Sequence, residues 1–162
     1  MQKHLGFRKG VVYSRSRTQC ESFAAELESA HYYAGAVDNE ERLAGWLEKG
    51  GFIVATLVLG TRVDFPDVVF VLHIDLPYRM IDFAQESGRA GRGGKDVDSV
   101  IIVADNRTQM MQRDLRGVDD DTMAEFVKTR SCRRRVMSSY LDGQDICYDD
   151  GDGAIARCDN CG

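Results

Sequence analysis

The chain has 162 residues, 43% of them hydrophobic and 29% charged, which is room for one apolar core with a small appendage in an ordinary globular chain. No apolar run approaches the length of a membrane span, and the opening Met-Gln-Lys-His-Leu-Gly-Phe-Arg lacks the apolar segment that directs secretion. A net charge of -5 gives no bulk attraction for nucleic acid, so any such binding has to come from local patches.

Gly10 to Ser14 reads as a short buried strand with Val11, Val12 and Tyr13 as its apolar run. Ser16 and Gln19 have capping-box spacing for the helix that follows. Cys20, Phe23, Ala24 and Leu27 recur at i, i+3, i+4 and i+7, one helical face, which makes Cys20 a core residue rather than a ligand. His31 to Gly35 gives a second short strand and a turn. Asp38 and Glu41 have the spacing of an N-cap and its partner, Leu43, Trp46 and Leu47 form the buried stripe of that helix, and Gly50-Gly51 ends it. Phe52 to Thr56 is a third strand. Val68 to Ile74 is a fourth, and its nearly continuous apolar run suits a parallel strand covered on both faces. Pro77 closes that segment, Met80 to Ser87 is a helix and Ser99 to Val103 a fifth strand. This alternation predicts an α/β fold: an open, mostly parallel sheet with right-handed crossovers and helices on both faces. Ligands on such sheets bind beyond the carboxyl ends of the strands. Thr56 with the loop after it, and the run that follows Met80 to Ser87, are therefore expected on one shared face.

From Asn106 the character changes, and the chain divides there into 1–106 and 107–162. Asp119-Asp120-Asp121 reads as a solvated turn. Thr122 to Asp142 reads as one helix carrying Arg130, Arg133, Arg134 and Arg135, and Asp149 to Gly153 as a loop. Four of the five cysteines fall in the last 31 residues, two of them in Cys158-Asp159-Asn160-Cys161. Inside a cell such clustering favours a metal over disulfides.

The most informative run is Gln85-Glu86-Ser87-Gly88-Arg89-Ala90-Gly91-Arg92. On a helix, Gln85 and Arg89 point the same way at i, i+4. Glycines such as Gly88 let backbone approach a ligand closely, and arginine offers a fork of donors that suits phosphate oxygens. An Arg-x-x-Arg pair by itself is ordinary solvated surface. Here it follows Ile53-Val54-Ala55-Thr56, Leu59-Gly60 and Val63-Asp64-Phe65-Pro66-Asp67-Val68. The two runs, in this order and spacing, resemble motifs V and VI of superfamily-two helicases. The form Gln-Glu-Ser-Gly-Arg-Ala-Gly-Arg is similar to RecQ-type DNA helicases, and the resemblance extends from Gly10 to Cys161.

The resemblance implies the second RecA-like lobe of a P-loop NTPase fold, followed by a small helical zinc-binding segment that is truncated. It implies half of a 3'-to-5' ATP-dependent DNA helicase, working in the nucleus or another intracellular DNA compartment and not at a membrane. Arg92 matches the arginine finger and Arg89 the neighbouring phosphate or interdomain arginine. Gln85, Asp64 and Gly88 fall at the nucleotide and interdomain surface, and Thr56, Arg133 and Arg134 at the nucleic acid. Cys132, followed by two arginines, would pair with Cys158 and Cys161 around Zn2+, with Cys147 as the remaining candidate for a fourth ligand. The implied partners are single-stranded and duplex DNA and a first RecA-like domain, in cis or in trans, which holds most of the ATP and Mg2+.

Two departures stand out from that pattern. Gly60-Thr61-Arg62 replaces a Gly-x-Gly, and Arg92-Gly93-Gly94 replaces an Arg-Asp-Gly. No Gly-x-x-x-x-Gly-Lys-[Ser/Thr] phosphate loop and no Asp-Glu-x-His run occurs, and the stretch from Gly88 to Lys95 fails as an imitation of the former. The chain alone is thus expected not to hydrolyse ATP. A second reading is a catalytically inactive remnant of a helicase gene that binds nucleic acid or protein.

Overall fold

The computed structural model describes residues 8–56, 59, 67–91, 97–104, 118–147 and 157–162. Its described residues belong to two compact units: Met1–Leu76 with Ala84–Val103, and Pro77–Phe83 with Ala104–Gly162. The change of character at Asn106 lies close to the last of the three crossings between them. Residues 77–83 group with the second unit, which the sequence pattern did not suggest.

The first unit holds five strands: β1 (Lys9–Tyr13), β2 (Ala30–Tyr32), β3 (Gly51–Ala55), β4 (Val68–Ile74) and β5 (Asp98–Ile102). They form one sheet in the order β2-β3-β1-β4-β5, and every neighbouring pair is parallel. Helices α1 (Arg17–Glu26) and α2 (Asn39–Lys49) connect the first three strands, and α3 (Met80–Ser87) follows β4. Strand β1 has neighbours on both edges and is buried at all five positions. Because strand side chains alternate, each face of the sheet gathers its own core. Val11, Tyr13, Ile53, Ala55, Val68 and Val71 pack with Trp46 of α2, while Val12, Phe52, Val54 and Leu72 pack with Cys20 and Ala24 of α1. The sheet is therefore covered on both faces. The Cys20 thiol reaches the carbonyl oxygen of Val54 at 3.2 Å in the second cluster, a core position.

The two helix caps differ. The Ser16 hydroxyl accepts a hydrogen bond from the Gln19 backbone N–H at 3.2 Å, as its spacing predicts. Asp38 makes no side-chain cap bond. Its carboxylate instead lies 3.5 Å from Arg42, one turn along the helix, where opposite charge competes for the same oxygens. At the other end of α2, Gly50 takes φ +73°, a conformation that a side chain disfavours, and turns the chain into β3.

Among its described residues the second unit contains two further helices, α4 (Val118–Lys128) and α5 (Arg133–Asp142). Two expectations are corrected here. Asp119-Asp120-Asp121 is helical, lying in the first turn of α4, where the backbone favours acidic residues. The single helix expected from Thr122 to Asp142 is broken between Thr129 and Cys132. The break persists because its freed carbonyls are satisfied from far along the chain. The Asn160 side-chain amide donates to the Thr129 and Ser131 carbonyl oxygens at 2.9 and 2.8 Å. Locally, Thr129 Oγ1 accepts from the Ser131 N–H at 3.2 Å.

Candidate functional sites

The arginine run leaves α3 and descends along β4. Glu86, near the end of α3, meets His73 at the upper part of β4, and the Gly91 N–H donates to the Val68 carbonyl oxygen at 3.1 Å at the start of that strand. Thr56 lies at the opposite level, just past the carboxyl end of β3, where its N–H donates to the Tyr32 carbonyl oxygen at 3.1 Å. In register, Gly51 and Val68 both face Lys9, whereas Ala55 and His73 both face Tyr13. Thr56 and Gly91 are thus separated by the height of the sheet, about 13 Å for four residues at ~3.3 Å each. The expected shared face does not hold for these two. A helix that follows a parallel strand runs back, so its far end returns toward the strands' amino ends.

Within the run, Gln85 is exposed and Arg89 half-buried. The turn is tight: a Cβ at Gly88 would stand 2.9 Å from the Ala84 carbonyl oxygen, so glycine is required there by close approach. Gly91 has φ +76°. The small Ala90 side chain packs against the core cluster of Val11, Tyr13 and Val68. Arg89 Nε is buried and makes no hydrogen bond among the described residues. Asp64 and Arg92, with the Arg62 and Gly93 departures, lie outside the described residues.

Behind the run lies a pair that sequence reasoning missed. His73 and Glu86 are 3% and 5% exposed, and His73 Nε2 sits 2.7 Å from Glu86 Oε2. The Tyr13 ring stacks on the imidazole, with centroids 5.1 Å apart and an angle of 16°. Burial, reinforced by the nearby Glu86 carboxylate, holds the Tyr13 phenol well above its ordinary range, against the opposing pull of Arg89. The available signal was a single imidazole in the otherwise apolar Val68–Ile74 strand.

The second unit brings three of the four predicted cysteines together. Sγ atoms of Cys132, Cys158 and Cys161 all lie within 4.8 Å of one another, Cys158 and Cys161 at 3.5 Å. Cys147 is buried and is not one of this group. Ligands ~2.3 Å from a tetrahedral zinc stand about 3.8 Å apart, so the three thiols fit three corners of such a site. Burial disfavours the Cys158 thiolate. Hydrogen bonds from the Arg133 N–H, the Cys161 thiol and the Asn160 and Cys161 N–H groups outweigh it and bring its pKa to about 7. The Cys161 thiol, bonded first to Cys132 and then to Cys158, is pushed up to about 12. A cation bound there would hold the three sulfurs as thiolates.

The sequence pattern assigned Arg133 to nucleic acid, but the structure spends it inside the unit. Its Nε and Nη2 fork onto the Asp159 carboxylate at 2.6 and 2.9 Å. Its Nη1 donates to the carbonyl oxygens of Phe126 and Val127, the latter at 2.9 Å, at the end of α4. The bidentate geometry, which lysine cannot copy, clasps α4 to the cysteine turn. Arg134 is half-buried on α5.

Comparison with known proteins decides the family. The helicase conserved C-terminal domain family matches residues 3–94. The chain belongs to that family. Beyond this helicase domain the similarity continues. The Saccharomyces cerevisiae ATP-dependent helicase SGS1 is 30% identical over 94% of the chain, and mouse ATP-dependent DNA helicase Q5 is 32% identical over 94%. The Pasteurella multocida ATP-dependent DNA helicase RecQ is 27% identical over 95%. The chain spans only 12%, 18% and 26% of these relatives' lengths. Among solved structures, the Escherichia coli DEAD-box protein SrmB, bound to RraA, aligns with a TM-score of 0.59 at 21% identity. The alignment covers 67% of this chain and 68% of that one. Saccharomyces cerevisiae Dbp5, bound to RNA and ADP BeF3, aligns with a TM-score of 0.57 at 15% identity, over 66% and 31%. These likenesses establish the helicase-lobe fold of the sheet. No helix among the described residues is long and apolar enough to cross a membrane.

The clasp gives a stability prediction. Arg133→Ala should cost the second unit roughly 1.5–3 kcal/mol, the worth of charge-assisted hydrogen bonds. Arg135→Ala, which removes the more exposed 3.0 Å pair with Asp145, should cost less than about 1 kcal/mol. Urea unfolding followed by amide exchange in α4 and α5 measures both, and equal losses would contradict the clasp.

Proposed function

We propose that the chain is the second motor lobe and zinc-binding segment of a RecQ-type 3'-to-5' ATP-dependent DNA helicase, acting in the nucleus or another intracellular DNA compartment. The observation that carries this reading is the three-thiol cluster standing after a helicase C-terminal lobe, in a chain that relatives named ATP-dependent DNA helicase Q5 and RecQ match over 94% and 95% of its length.

In this reading the phosphate cradle and Mg2+ belong to a first lobe, in cis or in trans. Arg92 supplies positive charge to the transferred phosphoryl group as it develops charge, and Arg89 meets the neighbouring phosphate or the interdomain surface. Gln85, Gly88 and Asp64 form the rest of that surface. Thr56, at the carboxyl edge of the sheet, and Arg134 contact single-stranded DNA, and opening and closing of the lobes moves the strand. Cys132, Cys158 and Cys161 hold zinc, with Cys147 or a residue outside the described segments as fourth ligand. The metal would supply a rigid cross-link and offset the cost of deprotonating the thiols.

The remnant reading is favoured by the replaced positions, Arg62 and Gly93. Kinetics separates the two. The 162-residue chain alone should show no magnesium-dependent ATP hydrolysis above background. Fused to a RecQ-type first lobe it should hydrolyse ATP in a DNA-dependent manner, and Arg92→Ala should lower turnover by roughly 10³-fold or more. A fusion that folds and stays inactive would favour the remnant. One that is active and indifferent to Arg92→Ala would remove that residue from its role.

Metal content tests the other half. Protein purified without added zinc should carry a single zinc ion per chain, and Cys158→Ser should abolish it. Full zinc retention in Cys147→Ser would place the fourth ligand elsewhere, and a wild-type chain without zinc would overturn the assignment.

A further inference from the structure

We propose that His73 is a positioning residue for the arginine run: by holding Glu86 it fixes the turn from which Arg89 projects. The inference rests on the reading of Arg89 as a phosphate-facing arginine, and it concerns a contact outside the motif residues assigned to that role.

The end of a helix is where backbone order is weakest, because its last carbonyls lack intrahelical partners. Arg89 stands two residues beyond the end of α3. Three anchors tie the stretch from Glu86 to Gly91 to the sheet. Glu86 is bound by His73 of β4 at 2.7 Å, Ser87 Oγ meets Ser99 Oγ of β5 at 2.8 Å, and the Gly91 N–H meets the Val68 carbonyl oxygen at 3.1 Å. The serine pair is exposed and competes with water. The His73–Glu86 contact is buried, so losing it strands a polar group away from solvent, which is costly. It is therefore the anchor that resists sliding or unwinding of the turn.

The imidazole is itself fixed. It lies in a strand paired on both edges, and the Tyr13 ring, its register partner on β1, stacks on it. Orientation thus passes from the central strand to the imidazole, from the imidazole to Glu86, and from Glu86 across one turn to Arg89. Backbone bonds from the Arg89 N–H to the Glu86 carbonyl oxygen at 3.4 Å and from Ala90 to Ser87 at 3.2 Å complete that last link. The outcome is a half-buried arginine whose Nε is enclosed without a hydrogen bond among the described residues. A side chain placed this way keeps its direction. Preorganised charge of this kind is what stabilises a developing oxyanion without reorganisation at the moment of reaction.

The test reads Arg89 directly. In the isotopically labelled full chain, the Arg89 Nε–Hε resonance, identified by its loss in Arg89→Lys, should exchange slowly with water. His73→Leu should raise that exchange roughly tenfold, the factor that corresponds to about 1.4 kcal/mol. His73→Gln, which can still donate to Glu86, should restore it. Where His73→Leu does not keep the native fold, Glu86→Asp carries the test, since it retains the charge and falls one methylene short of the imidazole. Unchanged exchange in either folded variant overturns the proposal, as does failure of His73→Gln to restore protection. In the fusion with a first lobe, His73→Leu should lower kcat and leave KM for ATP within about twofold. Lost protection with unchanged kcat would refute the phosphate role of the run while upholding the positioning by His73.

Discussion

Burying β1 between β3 and β4 is the constraint from which the placement of the chemistry follows. All pairings around it are parallel, so the chain must leave β3 at the carboxyl edge of the sheet and re-enter β4 at the amino edge, crossing β1 on the way. That connection is short, and Leu59 within it is buried in the cluster that includes Trp46. Thr56 is left at the upper edge, whereas Asp67 arrives at the lower one, its carbonyl oxygen accepting from the Lys9 N–H at 3.2 Å. A helicase lobe with this strand order can expose a nucleic-acid contact and a nucleotide contact on separate levels of one rigid sheet.

The second unit depends on a different economy. Its core is small, and its organisation comes from polar bonds between segments distant in sequence. Asn160 closes the gap between α4 and α5, Arg133 ties the end of α4 to Asp159, and both partners sit inside the Cys158–Cys161 turn. The same turn therefore brings the thiols together and terminates a helix. The gathering of the three thiols and the α4–α5 break are two consequences of one contact set.

Much of the first unit was legible in the sequence because its signals are local. The apolar run of Val68–Ile74 gave β4 at both ends, and the spacing of Cys20, Phe23, Ala24 and Leu27 gave the buried face of α1. The Ser16 cap formed because nothing nearby competed for its hydroxyl, whereas the equivalent spacing at Asp38 was overridden by Arg42 one turn away. What escaped was long-range. No helical periodicity is interrupted at Thr129 to Cys132; the break is stabilised by Asn160, about thirty residues on. Arg133 had the composition of a phosphate contact, and only the position of Asp159 shows where its fork goes. His73 carried no motif, since its partner Glu86 becomes adjacent only when α3 folds back along β4. Cysteine counting gave four candidates, but spacing alone does not say which three the fold gathers within 4.8 Å of one another.

The central proposal is that the arginine run meets nucleotide phosphates held by another lobe. Arg89 reports on it most directly, because its Nε is enclosed and lacks a protein acceptor among the described residues. The decisive measurement is its Nε–Hε resonance in the full chain mixed with a RecQ-type first lobe, before and after a magnesium-bound, non-hydrolysable ATP analogue is added. The account predicts that the resonance shifts with lobe and nucleotide together and does not shift with nucleotide alone. A complex that forms and binds nucleotide while the Arg89 resonance stays where it was would contradict it.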